Sequence, residues 1–254
     1  MLKDGPREDE LEVSARELRR INKIRRDFVA NVSHELKTPA TSLRLLAESL
    51  VEIIDEDPDQ ARYFALQLKS ETDRLSRLIS DLLDLTHLES EEKVTDPEPV
   101  DVRGVLMGVL SRMRPSARRK GLALRWRRAG DAADYTVMGD ETQLGSMFAN
   151  LVDNAIKYTP EGGSVEVSAE ADEKSVRVRV ADTGIGIPEK KLPRIFERFY
   201  RVDKARSKET GGTGLGLSIV RHVAENHGGK VTVESTEGEG TTFTVYLPRE
   251  DQTR

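Results

Sequence analysis

From residue 10 to residue 90 the chain contains no glycine, and its apolar residues recur at alternating steps of three and four. Ala61, Phe64, Leu68, Leu75, Leu78, Leu82 and Leu85 keep this pattern, with Glu71 the one interruption. Leu43, Leu46, Leu50 and Ile53 repeat it earlier, and Ile21, Ile24, Phe28 and Val32 lead into it. Such a repeat lays one apolar seam along a helix, and the seam needs another helix to cover it. Asp55-Glu56-Asp57-Pro58-Asp59 breaks the run, and proline is tolerated in the first turn of a helix. The spacing therefore predicts an antiparallel helical hairpin over 11–55 and 58–90. Two helices leave half of their apolar faces bare, so a dimeric four-helix bundle is expected.

Residues 91–100, EEKVTDPEPV, carry charge and two prolines and read as a linker. Beyond them the period changes to two. Val165, Val167 and Ala169 alternate with polar residues, as do Val176, Val178 and Val180, then Val231 and Val233, then Phe243, Val245 and Leu247. That is the pattern of half-buried strands. Asp172-Glu173-Lys174 joins two of them as a hairpin. Helical patterns lie near 101–119, 140–158 and 214–227. One sheet with helices on one face follows, and the whole chain reads as α+β, a helical hairpin followed by an α/β sandwich. Residues 184–214 are glycine-rich and poorly periodic, and are expected to form a mobile loop.

The 254 residues allow one to two domains. A net charge of -5 gives no basic footprint for nucleic acid, and the runs Arg118–Lys120 and Arg125–Arg128 read as solvated faces. The absence of cysteine excludes disulfides, thiolate metal sites and cysteine nucleophiles. No apolar run reaches the ~20 residues of a membrane span.

Four stretches carry chemistry. In Ser33-His34-Glu35-Leu36-Lys37-Thr38-Pro39, His34 lies off the apolar seam and can face solvent. Pro39 removes a helix hydrogen bond beside it, so a bend is expected. Glu35 can accept a proton from one ring nitrogen and leave the other as a nucleophile. His87, His222 and His227 lack such a setting. In Asn150-Leu151-Val152-Asp153-Asn154-Ala155-Ile156-Lys157-Tyr158, Asn150, Asn154 and Lys157 share the polar face of an amphipathic helix. An amide oxygen suits Mg²⁺ and a lysine suits phosphate. Asp182-Thr183-Gly184-Ile185-Gly186-Ile187 follows a strand; a carboxylate there can accept a purine amine, and the glycines permit close approach. Gly211-Gly212-Thr213-Gly214-Leu215-Gly216-Leu217 opens a helix whose free N–H groups face phosphate.

These strings, in this order and spacing, resemble the motifs of the sensor histidine kinase family over roughly residues 20–248. FVANVSHELKTP resembles its H box, NLVDNAIKYTP its N box, DTGIGIP its G1 box, FERFYR its F box and GGTGLGLSIV its G2 box. One departure is Ala40, where leucine is common. The resemblance implies a remnant of a signalling helix over 1–20, a dimerisation and histidine phosphotransfer domain over 21–92, a linker over 93–100 and a Bergerat-type ATP-binding domain over 101–250. It implies His34 as phosphoacceptor, Glu35 as the acid that orients it, and Thr38 as a residue for dephosphorylating the partner. ATP and Mg²⁺ are the implied cofactors, with Asn154 as metal ligand and Asn150 and Lys157 beside the phosphates. Tyr158, Asp182, Gly184 and Gly186 belong to the adenine pocket. Gly212, Thr213, Gly214, Leu215, Gly216 and Leu217 belong to the lid, and Phe196, Phe199 and Arg201 to the F box, with Arg201 reaching the phosphates. The implied partners are a second copy of the chain and the receiver domain of a response regulator, with no nucleic acid. The implied location is the cytoplasmic portion of an inner-membrane sensor, linked to the membrane only through an upstream region. A Bergerat-fold ATPase or an inactive dimeric scaffold is the alternative, and the hairpin carrying SHELKTP distinguishes the kinase from other such ATPases.

Overall fold

The computed structural model describes residues 8–90, 94, 96–128, 134–203 and 212–249, without the side chains of 8–25, 27, 87–90 and 128. The chain divides into two compact units, one up to Ile79 and one from Ser80 onward.

The first unit is the helical hairpin: α1 (Glu8–Ile53) and the greater part of α2 (Pro58–Ser90). The turn between them is closed by Asp57. Its backbone N–H bonds the Ile53 carbonyl, and its Oδ1 accepts from the amides of Asp59 and Gln60 at 3.1 and 3.0 Å, capping α2. Pro58 then takes the first helical position. The seam residues face inward as the spacing predicts: Ala61 and Leu78 are buried, and Phe64, Leu68 and Leu75 half-buried. Glu71, the interruption, bonds Arg74 at 3.0 Å one turn on, with each side chain less than one-fifth exposed. Pro39 is buried inside α1, which continues through it as one helix.

The second unit begins with the last turns of α2. After it come β1 (Glu98–Asp101), α3 (Val102–Arg119), β2 (Ala123–Arg128), β3 (Thr136–Gly139), α4 (Glu141–Tyr158), β4 (Ser164–Ala171) and β5 (Ser175–Asp182). A 3-10 helix (Glu189–Arg194), α5 (Gly216–Asn226), β6 (Lys230–Thr236) and β7 (Gly240–Pro248) complete it. The main sheet has the order β2-β4-β5-β7-β6, antiparallel except for the parallel pair β2/β4. β1 and β3 form a separate antiparallel pair, so the end of the stretch read as a linker is a strand.

The alternating residues fill the core. Val165, Val167, Ala169, Val176, Val178, Val180, Phe243, Val245 and Leu247 are buried; Val231 and Val233, on the edge strand, are half-buried. α4 packs between α3 and α5 over this face. Residues 184–203 are more ordered than a plain loop: the 3-10 helix precedes buried Ile195, and Phe196 meets Phe243 edge-on at 6.3 Å. Residues 204–211 of the expected loop lie outside the described residues, as do residues 1–7.

Candidate functional site

On α1, His34 is exposed, Glu35 half-buried and Thr38 exposed. The Ser33 hydroxyl donates to the Val29 carbonyl at 2.9 Å and the Thr38 hydroxyl to the His34 carbonyl at 3.1 Å. The Thr38 bond ends on the carbonyl next to that of residue 35, which Pro39, lacking an N–H, cannot serve. Consecutive helical residues diverge by about 100°. Glu35 therefore reaches the His34 ring only when both side chains turn to their common edge.

The second group of site residues assembles around α4. Asp140 caps its start, accepting from the amides of Thr142 and Gln143 at 2.7 and 3.0 Å. The stripe Leu144, Met147, Phe148, Leu151, Val152, Ala155 and Ile156 is buried, which turns Asn150, Asn154, Lys157 and Tyr158 to the other side, all half-buried. The Asn150 amide donates to the Ser146 carbonyl at 3.1 Å. Its oxygen lies where a methyl on Gly216 would come within 2.7 Å, so α5 opens directly against α4. Among the described residues the Asn154 amide has no hydrogen-bond partner. Lys157 Nζ pairs with Asp153 Oδ2 at 2.5 Å.

The loop after β5 closes on the end of α4. The Ile185 amide donates to the Tyr158 carbonyl at 3.2 Å, and a methyl on Gly184 would lie 2.7 Å from the same oxygen. Asp182 Oδ1 accepts from the Gly184 amide at 2.8 Å. Burial pushes the Asp182 carboxyl above its ordinary range, and the amides of Gly184 and Thr241 pull it back. Gly186 has φ +67° and Gly214 φ +75°, a region open to glycine. A third segment arrives with Gly212, whose added methyl would sit 3.7 Å from the Tyr158 hydroxyl. The Phe199 amide bonds the Gly214 carbonyl at 2.9 Å, tying the F box to this turn, and Phe199 itself has φ +60°. Leu215 is buried, while Gly216 and Leu217 are half-buried at the start of α5; Arg201 is also half-buried.

Three contributors were not singled out in the sequence. Asp81, on the last turns of α2 within this unit, accepts from the Thr213 hydroxyl at 2.6 Å. Burial raises its pKa, the Thr213 bond and Lys157 lower it, and Asp84 and Asp153 raise it again. Asp153 is the second, and its i,i+4 spacing from Lys157 was a legible signal. The third is Lys120, expected on a solvated basic face. Its ammonium instead donates to the carbonyls of Ile156 and Lys157 at 2.7 and 2.6 Å. His227, which the sequence reading left out of the chemistry, is buried: Nε2 accepts from the Asp140 amide at 3.1 Å, and Nδ1 lies 2.8 Å from the Val223 carbonyl. The side chain of His87 lies outside the described residues.

The donor set fits a nucleotide with its metal. Among the described residues no group of three or more His, Cys, Asp or Glu could hold an ion. A single amide oxygen beside a phosphate site is the kind of partial coordination Mg²⁺ accepts, since it keeps waters and phosphate ligands.

Comparison with known proteins agrees with this geometry. Residues 24–91 match the His Kinase A (phospho-acceptor) domain. Residues 139–251 match the histidine kinase-, DNA gyrase B- and HSP90-like ATPase family, an ATP-binding family. The sensor-like histidine kinase SenX3 of Mycolicibacterium smegmatis is 45% identical over 230 residues, 90% of this chain and 59% of that protein. The chain thus spans a little over half the length of that relative. A solved structure of the mycobacterial sensor histidine kinase MprB is 33% identical, with a TM-score of 0.51 over 60% of this chain and 97% of that one. Full-length ShkA, solved in complex with AMPPNP, is 32% identical with a TM-score of 0.63 over 87% of this chain and 45% of that one. No helix among the described residues is long and apolar enough to cross a membrane. The phosphoacceptor hairpin and the ATP-binding sheet together show that the chain belongs to the sensor histidine kinase family.

Proposed function

We propose that the chain binds Mg²⁺-ATP in the second unit, transfers the γ-phosphoryl group to His34, and passes it on to an aspartate of a response regulator. The observation that carries the reading is convergence. The polar face of α4, the Asp182–Gly186 loop and the Gly212–Leu217 turn are far apart in sequence, yet meet around Tyr158 and Asn150. The AMPPNP held by ShkA supports ATP as the ligand.

Asp182, held by the Gly184 amide, accepts the exocyclic amine of adenine, and Tyr158 borders the ring. Lys157 exchanges its Asp153 partner for phosphate oxygens. Asn150 and the free N–H groups at the start of α5 face the same phosphates. The Asn154 amide oxygen would hold Mg²⁺, which would supply neutralisation of phosphate charge. Glu35 holds a proton on one His34 ring nitrogen, so the other attacks the γ-phosphorus in line and ADP leaves with the bonding pair. The resulting N–P bond is a high-energy donor to a carboxylate. Thr38, exposed one turn from His34, orients water when the partner aspartate is dephosphorylated.

The exposed apolar residues of the hairpin, Val29, Leu45, Val51, Ile54, Tyr63 and Leu66, support pairing with a second copy. The domain division follows the same reading, with phosphotransfer over 21–92 and ATP binding over 101–250. The relatives' names as sensor kinases support a cytoplasmic place for this part within a longer, membrane-linked protein.

The test is incubation with γ-labelled ATP and Mg²⁺, wild type beside His34→Ala. Label confined to the wild type, lost in acid and stable in alkali, is the expected result. Equal labelling of His34→Ala would overturn the assignment.

A further inference from the structure

We propose that Lys120 is a positioning residue for the adenine end of the nucleotide site, acting through the C-terminal turn of α4. The inference rests on reading that site as the ATP site. The last four carbonyls of a helix have no partner within it, and each must be served from outside. In α4 each of them is. The Ala155 carbonyl takes the amide and hydroxyl of Thr159 at 3.1 and 2.6 Å. The Ile156 and Lys157 carbonyls take the Lys120 ammonium, and the Tyr158 carbonyl takes the Ile185 amide. One side chain thus serves two of the four, and does so with a full positive charge at the negative end of the helix dipole.

The four carbonyls form a chain that ends in the pocket. Lys157 and Tyr158 supply site side chains, and the Tyr158 carbonyl carries the Ile185 amide, one residue beyond the Gly184 amide that orients Asp182. Lys120 is itself well placed to act as a fixed post. It is the C-cap of α3, its amide shared between the Ser116 and Ala117 carbonyls at 3.2 Å. The residues after it are clamped to the turn that follows α4: Gly162 N–H bonds the Gly121 carbonyl at 3.2 Å, and Ala123 N–H the Gly163 carbonyl at 3.0 Å. Burial lowers the pKa of the ammonium. Without the ammonium, the Ile156 and Lys157 carbonyls lose their partner, the last turn of α4 loosens, and the Tyr158–Ile185 bond loses its support.

The full chain is compared as wild type, Lys120→Met, Lys120→Gln and Lys120→Arg, reading ADP affinity by calorimetry, folding by Trp126 fluorescence and amide hydrogen exchange. Folded Lys120→Met is expected to bind ADP about 10- to 100-fold more weakly, the scale of losing charge-assisted hydrogen bonds. Lys120→Arg, which keeps the charge and donors, is expected to recover most of it. The amides of 183–186 should exchange faster in Lys120→Met while those of β4 and β5 keep their protection. Wild-type affinity in folded Lys120→Met overturns the proposal and leaves the ATP site standing. Failure of both Lys120→Met and Lys120→Gln to fold, or faster exchange throughout the sheet, makes Lys120 a residue of the fold and overturns it as well. A wild type that binds no ADP removes the site reading itself, and the proposal with it.

Discussion

Lowering the pH from about 7 to about 5 should destabilise the ATP-binding unit through His227, a residue outside the site. The ring is buried and pressed on Gly139, where a methyl would come within 2.6 Å of Nε2. Facing a carbonyl, Nδ1 must donate; facing the Asp140 amide, Nε2 must accept, so the fold requires the neutral ring. Burial lowers the pKa from its ordinary 6.5, opposed by the Val223 carbonyl and by the Asp140 carboxylate. A group whose folded pKa is depressed lends stability above its unfolded pKa and withdraws it as pH falls from there toward the folded pKa. Within that window the limiting slope is about 1.4 kcal/mol per pH unit.

Protonation sets an N–H against the Asp140 N–H at the start of α4 and leaves that amide without an acceptor, a cost on the order of 1–3 kcal/mol. At roughly 2–4 °C per kcal/mol, the melting temperature should fall by several degrees. Trp126, the single tryptophan, lies in β2 and reports this unit alone. Its fluorescence is followed through thermal melts of the wild type and His227→Gln, which is neutral and keeps an acceptor. Asp81 and Asp182, whose raised pKa values favour the folded state as pH falls, are common to both proteins and cancel in the difference. The wild type should lose stability faster than the variant below pH 6.5; parallel profiles would refute the reasoning.

Two further substitutions separate pocket shape from metal binding. Gly186→Ala forces a side chain into a left-handed conformation and into the Thr236 carbonyl. The backbone alone costs about 1–2 kcal/mol, so ADP should no longer raise the melting temperature at concentrations that saturate the wild type. An unchanged ADP-induced shift would mean that this turn does not line the pocket. For Asn154→Ala, ATP should bind without Mg²⁺ much as in the wild type, but the gain on adding Mg²⁺, roughly tenfold for one lost ligand (about 1.4 kcal/mol), should vanish. A preserved Mg²⁺ effect, measured by calorimetry with and without EDTA, would remove Asn154 from the metal role.

Periodicity made the large elements legible. The three-four spacing of Ala61 to Leu85 and the alternation of Val165 to Ala169 each encode which face is buried, and both faces are buried as spaced. The glycine strings were legible because their chemistry depends on the backbone. β1 and β3 are four residues each, too short to show a period. β2, ALRWRR, does alternate, but its arginines led to a reading as a solvated run; an edge strand can leave such side chains in water while its backbone pairs with β4.

Lys120 and His227 were illegible for a different reason. Their partners are backbone groups, carbonyls 36 and 37 residues away for the lysine and an amide 87 residues away for the histidine. A backbone group carries no residue identity, so nothing in the composition of α4 announces that its first amide needs an imidazole or its last carbonyls an ammonium. Asp153 shows the contrast: its partner Lys157 is a side chain one turn away, and the spacing alone could have found it. The catalytic strings thus mark the residues proposed to touch the nucleotide. The two ends of α4, which set where Asn150, Asn154 and Lys157 stand, are fixed by residues that sequence motifs do not mark.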